Sequence, residues 1–274
     1  YTGINPEFGD LADWKHLVST AQAMGFRVVM DWVANHTAWD HPWTISHPEY
    51  YAQNEEGNFV PPFGFDWTDV IQINFDNREV WQAQIDAMKF WINETGVDGF
   101  RCDYATGVPT VFWNEVGAQL RKVKPDVFLL AEAEVPQHQL HGFNAAYSFG
   151  MMHVINDIAK KTKTVAAIDV ELAKNETLFP TGSTFINYTT NHDENSWQGT
   201  VFERLGSGVK AFGVVTYLLD GIPLIYNGQE TGLDKRLEFF TRDPIEWRHD
   251  ELAAFYQTLN QLRRDNRALH TGSR

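Results

Sequence analysis

Short apolar runs rich in β-branched residues alternate with amphipathic segments of helical length along this chain, and that alternation limits the folds open to it. The first pair is an amphipathic segment from Leu11 to Met24, ended by Gly25, and an apolar run from Phe26 to Asp31. A short β-branched run is typical of a buried parallel strand. Strands that alternate with helices favour right-handed βαβ crossovers and one parallel sheet. The sequence therefore predicts an α/β fold, either a closed (β/α) barrel or an open doubly wound sheet.

The same alternation predicts the elements that follow. We expect further strands at 97–103, 127–132, 143–149, 184–189 and 222–226. We expect helices at 80–94, 112–123, 150–161, 165–178, 209–219 and 252–266. Residues 37–76 interrupt the alternation of strands and helices, because they are rich in Pro, His, Asn, Trp and Phe and have no clear period. A stretch of that length predicts an insertion loop or small subdomain, and such loops are usually functional.

Composition and motif content exclude several functional classes. The formal net charge is −14, so a polyanionic partner such as nucleic acid would be repelled. Cys102 is the only cysteine, which excludes an internal disulfide and a thiolate metal cluster. No apolar stretch approaches the roughly 18 residues that a membrane-spanning helix needs. Neither a Gly-x-Gly-x-x-Gly motif after a strand nor a Gly-x-x-x-x-Gly-Lys phosphate loop occurs, so both common nucleotide-binding signatures are missing.

Polar side chains cluster where the predicted strands end. They are Asp31 with Asn35 and His36, Arg101 with Asp103, Glu132 with Glu134, and the run from Asn191 to Glu194. The carboxyl ends of all strands in a parallel barrel meet at one face. The sequence therefore predicts that these groups converge around one pocket.

Carboxylates, imidazoles and a guanidinium without a cofactor motif suit nucleophilic and acid–base chemistry on an uncharged substrate. A retaining glycosidase needs one carboxylate as nucleophile and one protonated carboxyl as acid, about 5–5.5 Å apart. Arg101 precedes Asp103 by two residues, so both point to one side of a strand, and the guanidinium would keep Asp103 ionised. Glu132 lies between two alanines and is expected to stay protonated. Glu134 is the alternative acid.

The motifs at these strand ends have a familiar counterpart. They are Asp31-Trp-Val-Ala-Asn-His36, Gly99-Phe-Arg-Cys-Asp103, Leu130-Ala-Glu132 and Asn191-His-Asp193, followed by the segment Gly221–Glu230. In this order, and over nearly the full chain, they resemble the α-amylase family, glycoside hydrolase family 13. The resemblance implies an α/β fold of the (β/α)8 TIM-barrel type. It also implies a retaining hydrolase that cleaves mainly α-1,4-glucosidic bonds in starch, glycogen or maltodextrins.

The resemblance assigns roles to single residues. Asp103 would be the nucleophile that forms a covalent glycosyl-enzyme, and Glu132 would be the acid/base. Asp193 would stabilise the transition state. Arg101, His36 and His192 would hold the sugar, while Asp31 would be mainly structural. The alternative is a non-catalytic member of the family that binds carbohydrate or serves as a scaffold and is inactive as this fragment.

The resemblance also implies a domain organisation. Residues 1–274 would form the catalytic barrel, with the family's first two strands and its C-terminal β-domain absent, and 37–76 would be its domain B after strand three. Five aromatic residues there serve either as sugar platforms or as the core of domain B: Trp39, Trp43, Phe63, Phe65 and Trp67. The oligomeric state stays open.

The resemblance requires no cofactor for the chemistry, and we place no metal ligand among the site residues. Structural calcium is common in the family. Asn35 fits the pattern of that site, whereas Asn74 and Gly107 depart from it. No motif fixes the compartment, and we expect an extracellular or periplasmic location rather than a cytoplasmic one.

Overall fold

The computed structural model describes residues 1–271, so the last residues of the predicted barrel domain, 272–274, lie outside the described residues. The chain divides into two compact units, Tyr1–Ala146 and a second unit that begins at Tyr147. No shift in composition marks this division in the sequence.

Parallel strands form the centre of the first unit. The strands that begin in this unit, parallel or not, are β1 (Val29–Val33), β2 (His36–Ala38), β3 (Val70–Gln72), β4 (Gly99–Asp103), β5 (Phe128–Ala131) and β6 (Ala145–Tyr147). Strands β1, β4, β5 and β6 pair in that order and run parallel. The register sets Asp31 opposite Arg101 and Cys102 opposite Ala131. The parallel sheet predicted from the sequence is therefore present, and it brings the ends of β4 and β5 side by side.

Helices cover this sheet, and local sequence explains where they begin and end. They are α1 (Leu11–Ala23), α2 (Trp43–Ser46), α3 (Arg78–Thr95), α4 (Thr110–Val123) and α5 (His138–His141). Asp10 caps α1 in a capping box with Asp13, and Asn77 caps α3. Gly96 ends α3 in the left-handed conformation, with φ of 71°. The inner faces of α3 and α4 bury large side chains such as Trp91 and Phe112.

The predicted first strand begins later than expected. The amide of Phe26 donates to the carbonyl of Ala21, which extends the end of α1 by a turn through Gly25, with φ of 91°. Strand β1 consequently runs from Val29 to Val33, and Asp31 lies at its middle rather than at its end.

The segment 37–76 has more regular structure than its composition indicated. Strands β2 and β3 pair antiparallel, with His36 opposite Gln72 and Ala38 opposite Val70. This pair joins the two ends of the segment directly beside the end of β1. Its identification as a domain B remains a prediction.

The second unit contains two parallel strands and six helices within its described residues. The strands are β7 (Phe185–Asn187) and β8 (Ile222–Pro223). The helices are α6 (Phe149–Ala159), α7 (Ala166–Leu178), α8 (Val201–Leu205), α9 (Val209–Leu218), α10 (Glu251–Asp265) and α11 (Ala268–Thr271). A π-helical turn, Glu194–Gln198, precedes α8. Neither that turn nor α8 was predicted, because both are shorter than the window over which helical periodicity can be recognised.

None of the described helices combines the length and the apolar character required to span a membrane.

Candidate active site

Strand β4 carries two of the predicted site residues on one side. Arg101 and Asp103 alternate with the fully buried Cys102, and Arg101 Nη1 donates to Asp103 Oδ1 over 2.8 Å. The side chain of Arg101 is 11% exposed and that of Asp103 is 23% exposed. The prediction that these two side chains point the same way and form an ion pair is confirmed.

The Arg101 guanidinium contacts three carboxylates, each from a different strand or strand end. Asp31, on the adjacent β1, accepts from Nη1 at 3.0 and 3.2 Å. Glu132, which follows β5, contacts Nη2 through its Oε1 atom. One buried cation therefore orients Asp31, Asp103 and Glu132 together. Asp31 is structural in this sense, because its contribution is to hold Arg101.

Glu132 has a more polar environment than its alanine neighbours indicated. Its side chain is 11% exposed, and its Oε2 atom accepts from the backbone amide of Tyr104 at 2.8 Å. Tyr104 adopts a left-handed backbone conformation, φ 39° and ψ 46°, which is costly for a residue with a side chain. The guanidinium of Arg101 and the amide of Tyr104 thus fix both carboxyl oxygens of Glu132.

His36 lies at the start of β2, close to the carboxylate group. Burial lowers the pKa of His36 below its usual range, and the negative charges of Asp103 and Asp69 oppose that shift. Its Nδ1 atom is 3.3 Å from Asn35 Nδ2, and its ring lies edge-on to Trp67. A neutral imidazole in this position can exchange hydrogen bonds with a hydroxyl group.

The residues considered for calcium do not fit a calcium site in this structure. The Asn35 amide is 1% exposed and makes a reciprocal pair of hydrogen bonds with Gln72, at 3.2 and 3.1 Å. Asn74 Oδ1 accepts from the amide of Asp76. A Cβ atom added at Gly107 would clash with the Tyr104 ring and lie 2.9 Å from Asn35 Oδ1. The oxygens that would bind an ion are thus engaged within the protein, and there is no room for a ligand side chain at position 107.

The aromatic residues of the segment 37–76 have different surroundings. Some pack as core residues do, and others are partly or fully exposed. Trp43 packs against Tyr1 and Tyr50, as a core residue does. Phe65 and Trp67 stack on each other with centroids 4.3 Å apart, and both contact the Tyr104 ring edge-on. Phe65 is 43% exposed beside the Tyr104 ring and Phe63 is fully exposed, and a role for these rings in sugar binding remains a prediction.

In the second unit, the loop after β7 carries the remaining predicted residues. Asn191 is buried and its Oδ1 accepts from the amide of Glu194 at 2.8 Å. His192 Nε2 is 3.4 Å from Asp193 Oδ2, and both side chains are 42% exposed. These two side chains are therefore neighbours that are open to solvent.

An exposed aromatic group adjoins His192 in the same unit. The Phe239 ring lies 6.3 Å from the His192 ring and nearly parallel to it, and contacts the rings of Trp197 and Phe240. Trp197 is 54% exposed and Phe240 is 74% exposed. Sequence reasoning missed these residues, since Phe239 and Phe240 are 46 and 47 positions away from Asp193 and no periodicity connects them.

The structure thus brings Asp31, Arg101, Asp103 and Glu132 together in the first unit, and His192 beside Asp193 in the second. That both groups line one pocket remains a prediction.

Comparison with known proteins adds independent information. The family model described as "Alpha amylase, catalytic domain" matches residues 1–63 and 63–271. Alpha-amylase 3 of Dictyoglomus thermophilum is 27% identical over 94% of this chain and 58% of that protein. A cyclomaltodextrinase of a Bacillus species is 28% identical over the whole chain and 53% of that protein.

Solved structures give the same result for the fold. The crystal structure of an alpha-amylase from Lactobacillus plantarum superposes with a TM-score of 0.88 and 29% identity, covering 100% of this chain and 67% of that one. The chain spans about half the length of the curated relatives it matches. The predicted fold class, a (β/α)8 barrel of the α-amylase type, is confirmed.

Proposed function

This chain belongs to the α-amylase family, and on that premise we propose that it is the catalytic part of a retaining glycosidase that hydrolyses α-glucosidic bonds in starch, glycogen or maltodextrins. The observation that carries the proposal is the shared contact of Asp103 and Glu132 with one guanidinium. Sharing one guanidinium keeps these two carboxyl groups close together, and the retaining mechanism that we propose needs a close pair, about 5–5.5 Å apart.

The proposed reaction has two displacements. Asp103, paired with Arg101, attacks the anomeric carbon while the proton of Glu132 passes to the departing glycosidic oxygen. Glu132 then takes a proton from water, and that water releases the sugar from Asp103. The acid role requires Glu132 to carry a proton before the first step.

The other residues that we assign to the function suit an uncharged, hydroxyl-rich substrate. His36 is a neutral hydrogen-bonding group near Asp103. In the second unit, Asp193 and His192 are exposed polar groups beside the aromatic rings of Phe239 and Trp197. We assign Asp193 to transition-state stabilisation and His192 to sugar binding. The relatives named alpha-amylase and cyclomaltodextrinase support an α-glucan or maltooligosaccharide as substrate.

The test is reducing-sugar release from soluble starch by the purified chain and by its Asp103→Asn variant. Loss of a catalytic nucleophile should lower kcat by at least about 10⁴-fold. Asp169→Asn, at an exposed position of α7, is the matched control and should leave turnover unchanged. Turnover that survives in Asp103→Asn would disprove the assignment of the nucleophile.

A folded wild-type chain without turnover would favour the alternative, a carbohydrate-binding member without catalysis. Calorimetric titration with maltoheptaose would then distinguish a binding protein from an inactive one. The intact set of Arg101, Asp103 and Glu132 favours the enzyme, because a binding protein has no need of a nucleophile clamped by a buried cation.

A further inference from the structure

A buried arginine in the second unit has no part in the mechanism above. Arg204 lies on α8 and is 8% exposed. Burial lowers its pKa, and the neighbouring Glu194 opposes that shift. A buried cation is retained only when hydrogen bonds and opposite charge compensate for the lost hydration. The contacts of Arg204 therefore indicate what it stabilises.

The guanidinium binds both ends of the segment that carries His192 and Asp193. Nη2 donates to the carbonyl of Thr189 at 2.8 Å, and Nε donates to the carbonyl of Gly199 at 2.9 Å. Nη1 donates to Asn156 Oδ1 at 2.9 Å and lies 3.5 Å from Glu194 Oε2. The side chain of Arg204 thus connects three parts of the second unit. They are helix α6, the start of the loop that follows β7, and the π-helical turn.

The segment between these two carbonyls is also held by its own backbone and by Asn195, whose side chain donates to the carbonyl of Lys235 and accepts from the amide of Leu237. Asn191 O accepts from the amide of Asn195, and Glu194 O accepts from the amide of Gly199, which closes the π-helical turn. The side chains of His192 and Asp193 are 42% exposed, so surrounding packing does little to fix them. Their direction therefore depends on the backbone of this segment, and Arg204 holds the carbonyls at both of its ends.

We propose that Arg204 is a positioning residue that sets the orientation of Asp193 by clamping the carbonyls of Thr189 and Gly199. This inference rests on the proposed function, in which Asp193 stabilises the transition state. Arginine suits the task because its planar fork donates in several fixed directions at once. Lysine keeps the charge but cannot reach both carbonyls, Asn156 and Glu194 with the same geometry.

The test is a double-mutant cycle on maltoheptaose hydrolysis, using Arg204→Lys and Asp193→Asn. Misplacement of a catalytic group by about 1 Å costs roughly 100-fold, so Arg204→Lys should lower kcat by about 10- to 100-fold with KM changed less than about threefold. In the Asp193→Asn background the same substitution should lower kcat by less than about twofold, because the group it positions is already lost. An equal loss in both backgrounds would overturn the proposal.

Arg263→Lys is the matched control. Arg263 lies on α10 and also donates to two backbone carbonyls, those of Tyr217 and Gly221, away from the 189–199 segment. It should leave kcat unchanged. If Arg204→Lys does not fold, as judged by circular dichroism, Asn156→Ala takes its place in the cycle and should show the same non-additivity on a smaller scale.

Failure of this inference can be distinguished from failure of the proposed function. A wild-type chain that does not hydrolyse maltoheptaose, or an Asp193→Asn variant with full activity, would overturn the proposed function and this inference with it. An active wild type with strictly additive effects would overturn only the role of Arg204.

Discussion

The chemistry of this chain centres on Arg101 at the scale of single residues. Its guanidinium contacts Asp103, the proposed nucleophile, Glu132, the proposed acid, and Asp31 on the neighbouring strand. Asp103 and Glu132 are thereby held in similar surroundings. In the proposed mechanism the two differ in that Glu132 gives a proton to the leaving group, and replacing its carboxyl group removes that proton donor.

Replacing Glu132 by Gln should separate the acid role from the nucleophile role. Starch hydrolysis should fall by about 10²–10⁴-fold, the usual contribution of general acid–base catalysis. Formation of the glycosyl-enzyme from α-maltosyl fluoride should be affected much less, because fluoride departs without a proton. Added azide should restore turnover and give α-maltosyl azide, which chromatography can identify. Glu134→Gln, the alternative acid, is the control; if it shows this pattern in place of Glu132→Gln, the assignment is wrong.

Sequence reasoning reached some contacts of this site and not others, for a physical reason. The pairing of Arg101 with Asp103 follows from the two-residue period of a strand, so it was predictable. The hydrogen bond from the Tyr104 amide to Glu132 depends on a left-handed backbone at Tyr104. Nothing in the residue type indicates that conformation, which packing must impose. The aromatic contact of His192 with Phe239 was also beyond prediction, because it joins distant parts of the chain.

At the scale of secondary-structure elements, the long helices and the strands between them were predictable, and the short elements were not. Helices α3 and α4 lie within two residues of their predicted bounds, since each has several turns of apolar periodicity and α3 also has caps at both ends. The antiparallel pair of β2 and β3 was missed because three residues are too few to show an alternation. Whether so short a segment forms a strand depends on the segment it pairs with, and a local sequence pattern does not show that partner.

A buried histidine in the short helix α5 is expected to make folding stability depend on pH. His138, at its first position, is 2% exposed, and its Nδ1 atom has no hydrogen-bond partner within residues 1–271. Burial lowers the pKa of His138 to about 4. The unfolded chain takes up a proton near the ordinary value of about 6.5, so folding stability is complete above that pH and declines as pH falls from about 6.5 to about 4.

Replacing His138 by Phe should flatten that decline. The buried histidine should cost about 2 kcal/mol of unfolding free energy between roughly pH 7.5 and pH 5, since each pKa unit corresponds to about 1.4 kcal/mol. Urea unfolding at both pH values measures the difference for the wild type and the variant. His153→Gln, at an exposed position of α6, should leave the decline as it is. Equal declines in the wild type and the His138 variant would show that this residue is not the source.

At the scale of the whole molecule, the fold class and the order of the catalytic motifs were predictable from the alternation and from the motifs at strand ends. The division into two compact units was not, because no linker or change of composition accompanies it. Whether calcium is needed was also left open by the sequence, since Asn35 fits the family's pattern and Gly107 does not. The hydrogen bonds around Asn35 lead to an expectation for the stability of the entire chain.

We expect thermal unfolding of this chain to be insensitive to calcium. An ion bound only by the native state at about 100 times its Kd adds about 2.7 kcal/mol, which would raise Tm by roughly 5 °C or more in a chain of this size. Because the Asn35 amide is bonded to Gln72 and the Asn74 carboxamide oxygen to the Asp76 amide, no such gain is expected here. Tm in excess EDTA and in about 2 mM calcium chloride should therefore agree within about 1 °C. A calcium-dependent protein in the same buffers serves as the positive control. A fall of several degrees in EDTA that calcium reverses would mean that other ligands of the chain bind the ion.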